Sequence, residues 1–275
     1  MAGEGDPGLA GLMVLVRGAG EMASGVAHRL ASSGLRVILT EIPRPLAVRR
    51  TVSFCEAVYE GNKTVEGLTA RLIAEPTQAG EVWAEGRLPL LLDLELSCRE
   101  GLRPAVIVDA TLAKTDTGLR RGMAPLTMAL GPGYRAPDMV DLVIESNRGH
   151  NLGRLIYNGQ AAENTGVPGD IGGYTHQRVL RAPCPGVFTA ERQLGDMVEA
   201  GQLVGRVEKQ DVRASIGGLL RGLIRSGTRV QYALKLGDVD PRGKREYLTT
   251  ISDKARAIGG SVLEGIMARF NRREE

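Results

Sequence analysis

The densest polar stretch of this 275-residue chain is Glu145-Ser-Asn147-Arg148-Gly-His150-Asn151. Histidine is the side chain best suited to general acid or base work near neutral pH, and an arginine beside it can clamp a carboxylate or phosphate. A second polar group follows Val-Ile-Val-Asp109, where Thr111 to Gly118 forms a loop carrying one lysine, Lys114. Asp109, Lys114, Glu145, Asn147, Arg148 and His150 are therefore the candidate catalytic residues. The plainer alternative stands beside this reading, since Asn, Gly and His also make good turns. Only three histidines occur and nothing has zinc-finger or HExxH spacing, so no metal site is expected. Cys55, Cys98 and Cys184 are odd in number and far apart, which fits reduced thiols serving as small buried apolar residues; Cys184, between two prolines, is the more exposed of them.

These residues need elements to position them. The run Val14-Leu-Val-Arg-Gly18-Ala-Gly20-Glu-Met-Ala23 reads as strand, glycine turn and helix, with Ala23, Val26, Ala27 and Leu30 on one helical face. In a dinucleotide-binding turn the first glycine permits the bend, and the second lets backbone approach a pyrophosphate facing the helix N-terminus. Gly18, Ala19, Gly20, Glu21, Met22 and Ala23 are the candidate cofactor-binding residues there. Glu41, 21 residues beyond Gly20 at the end of the next strand, stands where an acid meets a ribose hydroxyl. Arg44, with Arg49 and Arg50 nearby, could meet a further phosphate. The runs ending in Asp93, Asp109 and Glu145 read as further strands, and ligands in open α/β sheets bind beyond the carboxyl ends of strands. The turn Leu130-Gly-Pro-Gly-Tyr134 belongs to the same edge, with glycines able to bring amides toward a ligand.

From Leu180 the character changes. Arg181-Ala-Pro-Cys-Pro-Gly186 aligns without gaps on Arg213-Ala-Ser-Ile-Gly-Gly218, 32 residues later, and Gly195, Val198, Gly205 and Val207 find Gly227, Val230, Gly237 and Val239. Each copy reads as short strands with glycine turns, and the pattern resembles the biotinyl/lipoyl-type barrel-sandwich domains. Lys209 lies at the tip such domains modify, but the hairpin lacks Met-Lys-Met and is short, so a structural or docking module is the preferred reading. Ile258, Val262, Ile266 and Phe270 mark a final helix whose Gly259-Gly260 suggests close packing. The expected fold is α/β: a Rossmann-like domain over 11–175, a small all-β barrel-sandwich hybrid over 179–240, and a helical segment over 241–275 returning to the α/β part.

The chain carries 35 Lys and Arg against 32 Asp and Glu, a net charge of +3 that argues against a nucleic-acid partner. It shows neither signal-peptide features in MAGEGDPGLAGL nor a membrane-length apolar run, and a cytoplasmic location is the expectation.

The blocks RGAGEMASGVAHRL, EIPRPLAVRRTVSFCEAVYEG, VDATLAK, LGPGY, IESNRGHNLGRLIY, NTGVPG and ISDKARAIGGSVLEGI together resemble the accessory protein family of the selenium-dependent molybdenum hydroxylase system. The resemblance implies a maturation role, with the hydroxylase apo-enzyme or other maturation proteins as partners, and homo-oligomerisation left open. It also implies a molybdopterin dinucleotide as the ligand of the glycine turn, with Glu145 to His150 and Lys114 toward the pterin or metal end. Two alternatives remain at this point: an NAD(P)-dependent oxidoreductase using His150, and a non-catalytic docking scaffold.

Overall fold

The computed structural model describes residues 8–93, 95–163 and 166–271; the first seven residues, the start of the NTGVPG block and the RREE terminus lie outside them. The chain divides into two compact units. The first comprises Met1–Pro45, Ser53–Asn164 and Ile251–Glu275, and the second Leu46–Val52 and Thr165–Thr250.

The first unit is built on a nine-stranded sheet. Its strands are β1 (Met13–Arg17), β2 (Arg36–Glu41), β3 (Asn62–Val65), β4 (Leu68–Leu72), β5 (Leu88–Leu92), β6 (Val106–Asp109), β7 (Leu126–Leu130), β9 (Leu142–Ile144) and β10 (Leu155–Ile156). A separate ribbon pairs β8 (Arg135–Ala136) with β11 (Gly159–Gln160). The order across the sheet is β10-β9-β7-β6-β1-β2-β5-β4-β3. All neighbours are parallel except the two edges, where β3 runs antiparallel to β4 and β10 to β9. Val14, Leu15 and Val16 are fully buried, as expected of a central parallel strand covered on both faces.

Helices α1 (Gly8–Gly11), α2 (Glu21–Ser32), α3 (Ala57–Glu60), α4 (Ala79–Ala84), α5 (Arg99–Leu102) and α7 (Asp253–Phe270) complete this unit, and α6 (Glu246–Thr249) belongs to the second. Only α2 and α7 exceed two turns, and they pack together. A Cβ on Gly25 would lie 2.7 Å from the Ala255 Cβ, and one on Gly259 would lie 2.8 Å from the Gly25 carbonyl oxygen. Glycine at both positions lets the two backbones approach to a distance no larger side chain permits. The N-cap of α7 is Ser252, whose Oγ accepts from the Ala255 N–H. Among the described residues no helix is long and apolar enough to cross a membrane.

The second unit contains two four-stranded antiparallel sheets. Its strands are β12 (Val179–Arg181), β13 (Gly186–Ala190), β14 (Met197–Val198), β15 (Leu203–Val207), β16 (Gln210–Arg213), β17 (Gly218–Leu223), β18 (Thr228–Val230) and β19 (Lys235–Asp240). The orders are β12-β19-β17-β14 and β16-β15-β13-β18. Each repeat therefore lends two strands to the other's sheet: β12 and β14 of the first pair with β19 and β17, and β16 and β18 of the second pair with β15 and β13. Phe188, Val204, Leu220 and Leu236 lie at the centre of its core.

This architecture corrects the expected fold class. A Rossmann-like domain joined to a biotinyl/lipoyl-type barrel-sandwich hybrid is not what the chain forms. Its large sheet is mixed, with antiparallel edges outside β9 and β4, and the β6-to-β7 crossover contains no helix, whereas a doubly wound fold uses helices as its crossovers. Strand, glycine turn and helix are local features that many α/β sheets share, so the motif at Gly18 did not determine the sheet around it. The segment after Glu41 departs from expectation as well: Val48 sits in a bend, and Val52 and Cys55 in two 3-10 turns, Arg50–Val52 and Phe54–Glu56, rather than on one helix.

Candidate functional site

Because β5, β2, β1, β6, β7 and β9 all run in the same direction, their carboxyl ends form one edge of the sheet. Glu41, the Gly18 turn, Asp109, Gly131 and Glu145 are thereby brought to that edge in spatial order. What differs is how each polar group is used.

At the glycine turn, Gly18 adopts φ +93°, and a Cβ there would meet Thr111 Cγ2 at 3.3 Å, so the position needs glycine on two counts. Gly20 is different, with open space where its Cβ would stand. The carboxylate of Glu41, expected at a ribose hydroxyl, closes the turn instead: Oε2 accepts from the Ala19 N–H at 2.8 Å and Oε1 from the Ile42 N–H at 2.9 Å. The Ala19 carbonyl in turn accepts from Ser24 Oγ at 3.1 Å and from the Cys55 N–H at 2.8 Å. Ala19, Met22 and Ala23 are buried and Glu21 is half-buried. The Ala19 peptide is thus satisfied from within the protein, while α2 begins at Gly20 with no side-chain cap. Arg44 is exposed, while Arg49 and Arg50 belong to the second unit, where Arg49 donates to the Tyr247 carbonyl and Arg50 to that of Leu223. The two arginines expected near a phosphate serve as backbone clamps.

Burial raises the Glu41 carboxyl above its ordinary 4.5, with the Ile42 and Ala19 N–H groups acting in the opposite direction. A native pKa above the unfolded one means that the native state holds the proton more tightly. The contribution of Glu41 to stability is then fully present below the unfolded value and is lost as pH rises through the native one. A carboxyl ¹³C NMR titration should place the Glu41 midpoint above 4.5, and a midpoint at or below that value would contradict this account.

Asp109 ends β6 directly opposite Arg17 of β1. Its Oδ1 accepts from Thr111 N at 3.0 Å and Thr111 Oγ1 at 2.5 Å. Its Oδ2 accepts from Thr117 Oγ1 at 2.6 Å and Tyr134 OH at 2.8 Å, with Arg17 at 3.5 Å. Thr117 and Tyr134 also bond to each other. Burial first, then the Asp109 charge, pushes the Tyr134 hydroxyl up to about 12, so it stays a donor. This network anchors the 110–118 loop, with Lys114 exposed upon it. The Gly-Pro-Gly turn serves the same loop, since a Cβ on Gly133 would lie 2.6 Å from the Ala113 carbonyl oxygen. Its glycines bring chain to chain rather than amides to a ligand.

The 145–151 cluster separates into committed and open members. Glu145 is buried, with Oε1 accepting from Asn147 N at 2.7 Å and Oε2 from Ala162 N at 2.7 Å. Arg148 grips Asp253 at the start of α7 through two bonds of 2.6 and 2.7 Å. Asn147 and His150 are exposed. Beside them a cavity of about 510 Å³ opens, lined by Glu145, Asn151, Arg154, Tyr157, Asn158 and Gln160 among others. The side chains of Asn151, Arg154, Tyr157 and Asn158 hydrogen-bond to no other described residue, and Arg154 makes no ion pair among them. Sequence reasoning reached the edge of this site and missed Arg154, Tyr157 and Asn158. The available signal was their polarity within Arg154-Leu-Ile-Tyr-Asn158, where a two-residue strand is followed at once by a turn.

The thiols do not join this site. Burial, then Asp93, pushes Cys98 up to about 12, which removes it as a nucleophile. Cys184 lies half-buried in the second unit. Among the described residues no three His, Cys, Asp or Glu side chains gather in a way that could hold a metal ion.

No protein-family model matches the chain. It is 47% identical over 255 residues to the uncharacterized protein YqeB of Escherichia coli (strain K12), a match covering 93% of this chain and 47% of that protein. The chain therefore spans about half the length of the curated relative it matches. Solved structures with a partial likeness include an aspartoacylase family protein (mlr6093) from Mesorhizobium loti, at 11% identity and TM-score 0.26, covering 83% of this chain and 84% of that one. Another is the ectoine utilization protein EutE (DoeB) from Ruegeria pomeroyi, at 13% identity and TM-score 0.25, covering 83% and 85%. A third is a succinylglutamate desuccinylase/aspartoacylase from Rhodobacter sphaeroides, at 11% identity and TM-score 0.26, covering 83% and 85%.

These findings correct the functional expectation. The relative at 47% identity, YqeB, is itself uncharacterized, and it connects the chain neither to selenium-dependent molybdenum hydroxylase maturation nor to an NAD(P)-dependent oxidoreductase. The geometry agrees: the turn that was to hold a dinucleotide has its Ala19 N–H engaged by Glu41, and the exposed His150 makes no side-chain hydrogen bond or ion pair among the described residues.

Proposed function

We propose that the first unit is a small-molecule-binding module whose ligand lies in the cavity between Glu145 and Gln160. One observation carries this reading: at the carboxyl end of β9, four polar side chains line a cavity and hydrogen-bond to no other side chain or backbone group among the described residues. All four are exposed to solvent, so a ligand entering the cavity would replace water on their donors and acceptors without first breaking contacts within the protein. Its volume of about 510 Å³ lies within the range usual for small-molecule sites, and its place at the strand ends is where open α/β sheets bind ligands. Support comes also from what the other clusters do, since Glu41, Asp109 and Arg148 are consumed by the protein itself.

The test is a ligand-observed NMR screen of the full chain with small polar compounds, followed by mapping of binders on the side-chain amides of Asn151 and Asn158. Binders should shift those amides and weaken about tenfold in Asn158→Ala, the loss of one or two hydrogen bonds to a polar ligand. Binders that leave both amides unmoved would place the site elsewhere.

A further inference from the structure

Glu145 faces Gly153 and Arg154 across a bulge where β9 meets β10. Ile144 pairs with Leu155 in the antiparallel register, and just beyond it the Glu145 N–H donates to the Arg154 carbonyl at 3.0 Å while the Glu145 carbonyl accepts from the Gly153 N–H at 2.9 Å. Facing residues of an antiparallel pair carry their side chains on the same face, with Cβ atoms roughly 5 Å apart, and opposite charges there ordinarily close into an ion pair. This pair does not close. The Glu145 carboxylate is turned onto the Asn147 and Ala162 N–H groups, 2.7 Å from each, and Arg154 is left exposed with no ion pair among the described residues. Both nevertheless line the same cavity.

Each carboxylate oxygen of Glu145 has given one acceptor site to a backbone N–H and retains another. The wall thus offers a fixed acceptor bearing negative charge and, across the ribbon, a planar cation with a full set of donors. Asn151 and Asn158 add carboxamides that can donate or accept. A purely anionic ligand would meet Arg154 favourably and Glu145 unfavourably, and a purely cationic one would reverse the balance. A molecule with both ends satisfies both.

We infer that the cavity takes a bipolar small molecule, whose carboxylate or phosphate meets Arg154 and whose N–H or O–H donor meets Glu145, so that the ligand completes a cross-strand pair the protein leaves open. The inference rests on the binding reading above and specifies the ligand class for that same cavity.

Four probes of one length separate the outcomes: 4-aminobutanoate carries both ends, butanoate the anion, butylamine the cation, and 1,4-butanediol neither charge. Titrated into the full chain while the Asn151 and Asn158 side-chain amides are followed, 4-aminobutanoate should bind about tenfold more tightly than either singly charged probe. Arg154→Gln should abolish that advantage over butylamine, with an unchanged amide spectrum elsewhere showing that the fold persists. Equal binding of butanoate and 4-aminobutanoate, or indifference to Arg154→Gln, overturns the bipolar ligand while leaving the cavity as a binding site. Failure of all four probes, butanediol included, to move either amide overturns the cavity reading and the inference together.

Discussion

Replacing Asp109 with alanine should lower the stability of the first unit by about 3–5 kcal/mol, the usual cost of removing one partner from a buried charged network. Asp109 is 1% exposed and accepts from Thr111, Thr117 and Tyr134, with Arg17 alongside, so its loss withdraws the shared acceptor from the buried Tyr134 hydroxyl and Arg17 guanidinium as well as from the two threonines. Against a net folding free energy of roughly 5–15 kcal/mol for a typical domain, that is a large share. Asp109→Asn keeps the shape and one acceptor oxygen, and should cost less. Trp83 gives a convenient readout, being the only tryptophan and lying in the first unit, with its Nε1 donating to the Val37 carbonyl at 2.8 Å. Urea unfolding followed by its fluorescence should show the Asp109→Ala midpoint well below wild type. Coincident midpoints would mean that the 110–118 loop and its network are not coupled to the sheet.

The second large effect distinguishes two adjacent glycines. Gly259→Leu should destabilise the first unit by about 3 kcal/mol or more, because even its Cβ would stand 2.8 Å from the Gly25 carbonyl oxygen and 3.1 Å from the Arg29 Cβ, and backbone cannot yield cheaply. Gly260→Ala should instead stabilise by about 1 kcal/mol, since nothing lies within 4 Å of the added methyl and alanine is the better helix former. The same fluorescence-detected unfolding tests both. If the two substitutions shift the midpoint in the same direction, the close contact between α2 and α7 is not what the glycines serve.

Those glycines show how far a sequence can be read. Gly259-Gly260 in a helical pattern signals close packing of some kind, but which of the two makes contact depends on where Gly25 lies, more than 200 residues earlier in the chain. Similarly, the apolar runs ending in Asp109 and Glu145 are readable as strands, because parallel strands buried on both faces leave continuous apolar stretches. Their order in the sheet, and the antiparallel β3 and β10 at its edges, leave no such trace. Residues 46–52 offer the sharpest contrast. Their arginines follow Glu41, at the end of β2, by eight and nine residues in sequence, yet they belong to the second unit, where the Leu223 N–H donates to the Val48 carbonyl at 2.8 Å.

The sequence by itself determined the features that depend on near neighbours: the strand, glycine turn and helix from β1 to α2, the positive φ at Gly18, and the 32-residue recurrence of strands in the second unit. Backbone preference and apolar periodicity act over a few residues and are written locally. Only the tertiary structure decided which polar groups are consumed and which remain free. Glu41 reaches back to Ala19 and Arg148 across to Asp253, while Glu145 turns forward to Ala162 and so leaves Arg154 with no ion pair among the described residues. A hydrogen bond is a property of two groups brought together by the whole fold, so the chemistry still open to an outside ligand is set by what the protein's own contacts have already satisfied.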